Sequence, residues 1–391
     1  MRPASHWRRL WVRVSIALLA VALGAGGVRS WLNHGWKAEQ ESRALLGTHW
    51  VMRSRPIGGE ALAGYVSRAG VHLDRVRSIR FFSGATPNLA VLGNFRYLES
   101  LTLDDSGTSD ADMAYIASVA TLVELNASDS AITDAGLLQL RNVRHLQTLR
   151  ICGRFTGGAL GQLDLGDLRE LQLTSKGLGD GALAAVGRCS RLRSLKIDGS
   201  AISDAGLKEL TPLTHLRCLQ VRGTKITDNG LKHVGGLREL TELDLGETPV
   251  TDIGLKELRD LHSLEYLGLA GTGISDSGME ELRGFKELYS IDLSKTAITD
   301  AGLKNLRELE NLRWLDLSHT RITGAGMGEL RSLKDLRSLC LHDTRLTDAG
   351  LKALHELKGL RWINLNHTDV TDAGVEALQT ALPGVQIDMN Y

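Results

Sequence analysis

From Leu98 onward, apolar and polar positions recur with a fixed period. Taking the first leucine of each unit as position 1 gives starts at Leu98, Leu122, Leu146, Leu168, Leu192, Leu216, Leu240, Leu264, Leu288, Leu312, Leu336 and Leu360. Ten of the eleven intervals are 24 residues, and the one from Leu146 to Leu168 is 22. The fullest units, such as residues 216–237 and 288–309, read L-x-x-L-x-L-x-x-T-x-I-T-D-x-G-L-x-x-L-x-x-L. Positions 4 and 6, for example Leu243 and Leu245, alternate with polar neighbours, the period of two of a short strand. Positions 16, 19 and 22, for example Leu303, Leu306 and Leu309, form an apolar stripe on one face of a short helix. Each unit is therefore strand, turn and helix, and buries its apolar face when a neighbour stacks on it. A degenerate unit precedes the series at Val76, Ile79 and Phe81, and a truncated strand over residues 385–387 closes it.

Three polar columns punctuate the repeat. Position 9 is Thr in seven consecutive units, Thr224 through Thr368, and reads as a hydroxyl column satisfying buried backbone groups. The Thr/Ser-Asp pair at positions 12 and 13, as in Thr251-Asp252, is N-cap chemistry, with a carboxylate in the positive first turn of the helix. One unit has Thr323-Gly324 instead, which predicts a looser helix start. Gly at position 15, Gly206 through Gly374, suits a close approach of helix to strand.

Residues 14–28 are uncharged and mostly apolar behind Arg2, Arg8, Arg9 and Arg13, the charge order of a signal or signal anchor. Extended over residues 10–32, with Arg13 and Arg29 snorkelling and tryptophans at both ends, the run reaches bilayer length. Residues 1–37 are thus read as a basic segment with a single-pass anchor that places the repeats outside the cytoplasm. Cleavage at the small residues near Ala22, giving a secreted chain, is the alternative. Residues 38–75, with a possible strand at residues 49–52, are read as a cap for the first coil, and residues 76–391 as about 13 repeats.

Charge is divided unevenly along the chain. Residues 1–97 hold 14 Lys/Arg against 4 Asp/Glu, which leaves 32 against 42 for the remainder. An acidic array supplies no phosphate-neutralising surface, so nucleic acid is not an expected partner. The four cysteines, Cys152, Cys189, Cys218 and Cys340, lie far apart with no paired spacing, so no disulfides are expected.

The repeat resembles that of leucine-rich-repeat proteins abundant in planctomycete bacteria, and is similar to the repeats of ribonuclease inhibitor-like and F-box leucine-rich-repeat proteins. The resemblance covers residues 76–391. It implies an α/β fold: a right-handed β-α solenoid with parallel strands on a concave face, short helices on the convex face, and a role in binding proteins. An apolar anchor ahead of the array also resembles the planctomycete proteins. No F-box-like helical segment is visible, which argues against an F-box substrate-recognition module.

Positions 3, 5, 7 and 8 point away from the core and line the strand face. The last coils gather Tyr266, Trp314, Asp316, His319, His342, Asp343, Trp362, Asn364 and His367 there, together with Cys340. Imidazoles and carboxylates on adjacent strands can form a metal or hydrolytic site, but no H-E-x-x-H, G-x-S-x-G or phosphate loop accompanies them. Cys340 lacks a visible oxyanion pocket and is read as a bystander. The face is therefore read as a non-catalytic surface for a protein partner, without metal or cofactor. A carbohydrate-binding or enzyme-accessory use of its aromatic residues is the alternative. Trp314 and Trp362 share position 3 two coils apart, either as an exposed binding pair or covered by the C-terminal tail.

The N-terminal reading has a direct outcome. The intact chain is expected to resist alkaline carbonate extraction, whereas a chain beginning at Lys37 is expected in the soluble fraction; full-length material that is soluble and trimmed near Ala22 would show a cleaved signal instead.

Overall fold

A computed structural model of the chain describes residues 49–52, 76–81, 89–103 and 107–389. The proposed membrane segment and most of the cap region lie outside these residues. No helix among the described residues is long and apolar enough to cross a membrane. The chain divides into two compact units, Met1–Phe155 with Gln162–Leu168, and Thr156–Gly161 with Arg169–Tyr391.

The first unit carries parallel strands β1 (His49–Met52), β2 (Ser78–Phe81), β3 (Ser100–Leu103), β4 (Glu124–Ile132) and β5 (Thr148–Gly153), paired in chain order. The strand expected at residues 49–52 is β1, and the degenerate unit at Val76 supplies β2, with Val76, Ile79 and Phe81 buried. The second unit runs through β6 (Glu170–Thr174), β7 (Ser194–Lys196), β8 (Cys218–Gln220), β9 (Glu242–Asp244), β10 (Tyr266–Gly268), β11 (Ser290–Asp292), β12 (Trp314–Asp316), β13 (Ser338–Cys340), β14 (Trp362–Asn364) and β15 (Gln386–Asp388). These too are parallel and pair in chain order, each residue facing its counterpart one repeat away, as Leu243 faces Leu267. Short α- or 3-10 helices return the chain between strands, which makes the fold an α/β solenoid.

The core is the stack of positions 1, 4, 6, 11, 16, 19 and 22. Leu240, Leu243, Leu245, Val250, Leu255, Leu258 and Leu261 of one coil are all 0% exposed. Burying one such side chain contributes about 1.5–3 kcal/mol. The helix start was expected to loosen only at Thr323-Gly324. Its helix, Met327–Ser332, is indeed 3-10, but so are Gly278–Gly284 and Leu303–Leu306, which follow regular Ser/Thr-Asp pairs.

The position 9 hydroxyls act within their own coil. Thr224, Thr248, Thr272, Thr296, Thr320, Thr344 and Thr368 each donate from Oγ1 to the carbonyl three residues earlier, at 2.5–2.8 Å. The tie between coils comes from position 13 instead. Asp110, Asp180, Asp204, Asp228, Asp252, Asp276, Asp300 and Asp348 each accept the N–H and the hydroxyl of the Ser or Thr at position 12 of the following coil. The N–H···O distances are 2.7–3.1 Å and the O–H···O distances 2.5–2.7 Å.

This arrangement corrects the reason for the glycine column. A Cβ built on Gly136, Gly206, Gly230, Gly254, Gly278, Gly302 or Gly374 collides with Oδ1 of the previous coil's aspartate. Glycine stands at position 15 to admit that carboxylate, not a strand. The tie is missing where Gly324 replaces the aspartate: the Thr347 N-cap makes no side-chain capping bond, and the backbones of Gly324 and Gly350 close together in its place. It is missing also ahead of the helix capped by Gly179, which has no hydroxyl to donate.

Three outcomes test this architecture. Leu245→Ala is expected to cost about 2–5 kcal/mol in chemical denaturation, as a cavity in a close-packed core. Gly278→Ala and Asp252→Ala are each expected to destabilise, the latter by about 1–3 kcal/mol through the orphaned Ser275 N–H. In combination they should cost clearly less than their sum, because removing the carboxylate makes room for the methyl; additive losses would remove the steric account.

The third outcome concerns acid. The hydroxyl and N–H of Thr371 hold the Asp348 carboxyl below its ordinary range. Burial pushes Asp300 up, but hydrogen bonds from the Thr323 hydroxyl and from the N–H groups of Gly326, Thr323 and Gly324 outweigh it and leave its pKa lowered. A folded-state pKa below the unfolded one gives stability that is fully present above about pH 4 and is lost as pH falls through the folded value. Asp348→Asn is therefore expected to lower stability at neutral pH and to flatten its decline below about pH 4.

Candidate functional site

The strand face of the second unit is built from the outward positions of β8 to β15. Position 8 follows each strand and lies in the left-handed region in eight consecutive coils: Gly199, Gly223, Glu247, Gly271, Lys295, His319, Asp343 and His367, with φ between 53° and 67°. Glycine takes this conformation without penalty, so the three glycines mark a turn that the other five residues adopt under modest strain. The turn ends the alternation of the strand, and a position 7 side chain can then meet position 8 side chains of its own and neighbouring coils.

Position 5 helps to form this bend. Oδ1 of Asp244, Asp292, Asp316 and Asn364 each accepts the N–H two residues on, at 2.8–3.0 Å. Asp316 and Asn364 therefore have a turn-forming role as well as a place on the face. Burial pushes the Asp316 carboxyl up, against hydrogen bonds from Ser318. Burial, followed by the charges of Asp244 and Asp292, pushes the Tyr266 hydroxyl well above its ordinary range.

At the C-terminal end, His319, His342 and Asp343 come together. The ring centroids of His319 and His342 are 5.0 Å apart at an interplanar angle of 84°. His367 lies on the other side, 5.3 Å from His342 between centroids. Oδ2 of Asp343 is 2.7 Å from His342 Nε2 and 3.4 Å from His319 Nδ1. His342 Nδ1 faces the Asn366 carbonyl at 3.2 Å. Sequence spacing placed His319 and His367 two coils apart in one column; the structure inserts His342 between them. The signal available was the glycine at position 8 of three other coils, which marks the left-handed turn.

The two tryptophans are not equivalent. Both are half-buried. Trp362 Nε1 donates to Asp388 Oδ2 of β15 at 2.8 Å, so its polar end is engaged by the closing strand, close to the tail-covered reading. Trp314 stands between the small side chains of Ser290 and Ser338 on adjacent strands. Cys340 is buried at 9% exposure, its thiol accepts from Ser318 Oγ at 2.9 Å, and burial pushes its pKa up, an environment that suppresses the thiolate. Cys189 and Cys218 are likewise pushed up to about 11 by burial, and all four cysteines are free thiols.

Parallel strands stacked at one-repeat register, with their variable side chains on a single face, define a solenoid repeat protein. The comparisons name the repeat. Family models described as leucine rich repeat match residues 286–346 and 310–370, and residues 213–234, 237–258 and 260–282. No curated protein matches the chain. Among solved structures it is similar to an internalin (inlF) from Listeria monocytogenes at 19% identity, covering 82% of this chain and 88% of that one, with a TM-score of 0.65. It is also similar to a leucine-rich-repeat protein of Leptospira interrogans at 19% identity, covering 87% and 89%, with a TM-score of 0.57. The matched segments are leucine-rich repeats, and the fold is that of a leucine-rich-repeat solenoid.

Proposed function

We propose that the chain is a non-catalytic protein-binding scaffold, held at a membrane by its N-terminal segment, with the strand face from Tyr266 to His367 as the docking surface. One observation carries this reading. The core positions of the array repeat, whereas the strand-face positions vary: position 3 runs Tyr266, Ser290, Trp314, Ser338, Trp362, and position 5 runs Gly268, Asp292, Asp316, Cys340, Asn364. Residues that the fold does not dictate are concentrated on one face, where a partner can read them. Interface energy concentrates in a few Trp, Tyr and Arg residues within a polar surround, and Trp314 among Asp316, His319 and His342 fits that composition. The resemblance of the 24-residue unit to anchored planctomycete repeat proteins supports presentation from a membrane outside the cytoplasm.

Affinity capture from native membranes tests the reading. Trp314→Ala removes an indole without touching the closing strand, and is expected to weaken capture by at least about 2 kcal/mol, roughly 30-fold, with the thermal transition nearly unchanged. Glu124→Ala, on the early coils, is expected to leave capture intact. Capture that survives Trp314→Ala but fails with Glu124→Ala puts the docking surface at the other end of the array and overturns the assignment.

A further inference from the structure

We propose that His319, His342 and Asp343 form a binding site for one divalent transition-metal cation of the Zn2+ class, with His319 Nδ1, His342 Nε2 and Asp343 Oδ2 as ligands. The three ligand atoms already lie within 4.8 Å of one another. Around a metal with bonds of about 2.1 Å, tetrahedral ligands sit about 3.4 Å apart. The His319–Asp343 separation of 3.4 Å has that value already, and the His342–Asp343 separation of 2.7 Å needs a small opening. Side-chain rotation alone supplies the remaining convergence, since all three groups are open to solvent on one side, at 41%, 30% and 40% exposure.

The hydrogen-bond inventory of His342 carries the argument further. Its Nδ1 faces a backbone carbonyl, which only accepts, and its Nε2 faces a carboxylate oxygen, which accepts as well. A neutral imidazole donates from one nitrogen only, so a ring that donates from Nδ1 to this carbonyl turns a bare Nε2 lone pair toward the carboxylate oxygen, the arrangement a shared cation completes. His319 Nδ1 points at the same carboxylate oxygen from the neighbouring coil, 3.4 Å away, with its ring 5.0 Å from that of His342. One cation satisfies all three groups with both rings neutral. The Nδ1–H···O=C bond to Asn366 is then the outer-shell contact that fixes the tautomer of a ligating histidine and turns Nε2 toward the metal. Two imidazoles and one carboxylate suit Zn2+, Co2+ or Ni2+ rather than Mg2+ or Ca2+, and leave a coordination position for water.

The site spans the coils beginning at Leu312 and Leu336, the joint at which Gly324 interrupts the aspartate tie. A bound cation therefore fastens together two coils that lack the aspartate tie. This inference is independent of the docking reading.

The test is calorimetric titration of the full-length, chelator-treated chain with Zn2+, paired with the absorption spectrum of Co2+ added to the same protein. One equivalent is expected to bind, to raise the thermal transition, and to give a Co2+ spectrum with nitrogen and oxygen ligands. His342→Ala and Asp343→Asn are each expected to weaken that equivalent by at least about tenfold, while His262→Ala, on an exposed turn away from the cluster, leaves it unchanged. His319→Gly guards against misfolding, because it removes a ligand while installing the residue that other coils carry at the same left-handed position. Absence of binding by the intact chain, or an equivalent retained in a folded His319→Gly, His342→Ala double variant, overturns the proposal.

Discussion

The bond between an aspartate carboxylate and the helix cap of the following coil is the constraint on which the array depends. Hydrophobic stacking alone holds neighbouring coils together without fixing how far each is rotated on the last. The paired acceptance of an N–H and a hydroxyl fixes that rotation, since both donors must meet oxygens of one planar group. It also accounts for two other columns. Position 12 must be Ser or Thr to supply the hydroxyl, and position 15 must be Gly because the carboxylate occupies the space of its Cβ. Three columns that read as separate local preferences are one interaction repeated along the chain.

Because the interior and the coil-to-coil tie are specified on the buried side and around the helix starts, the strand face is released from structural duty at positions 3, 7 and 8. Its side chains can differ from coil to coil at little cost in stability. Position 5 is the exception, where Asp or Asn builds the bend and also shows a polar edge. The second unit thus joins a rigid, repetitive frame to a variable surface, whose side chains meet across adjacent coils, as Arg222 and Glu247 do and as the histidines do toward the C-terminal end.

Much of this was legible in the sequence. The 24-residue period gave the strands, since Leu243 and Leu245 repeat at one spacing and Leu255, Leu258 and Leu261 at another. The outward column of Tyr266, Trp314 and Trp362 followed from alternation. What periodicity does not encode is contact between coils. The Asp252 to Ser275 bond joins residues 23 apart, and a pattern read one coil at a time sees only a cap in each. The histidine cluster was half legible for a related reason. Positions 7 and 8 were both placed on the strand face, but the pattern does not show that the left-handed backbone at Asp343 brings His342 against His319 of the neighbouring coil. The glycines at 199, 223 and 271 were the visible mark of that turn. Trp362 was read as the equal of Trp314 because the closing strand carries no leucine signature to show that Asp388 meets the indole.

The missing aspartate tie at Gly324 has a consequence for how the array comes apart. In a stack where each coil touches only its neighbours, the free energy of opening is a sum over interfaces, and the weakest interface sets where the stack divides. With Gly324 in place of the carboxylate, a weakened interface lies two coils from the C-terminus. Residues beyond Leu336 form a short terminal segment whose amides exchange with solvent by partial opening, at a free energy below that of global unfolding.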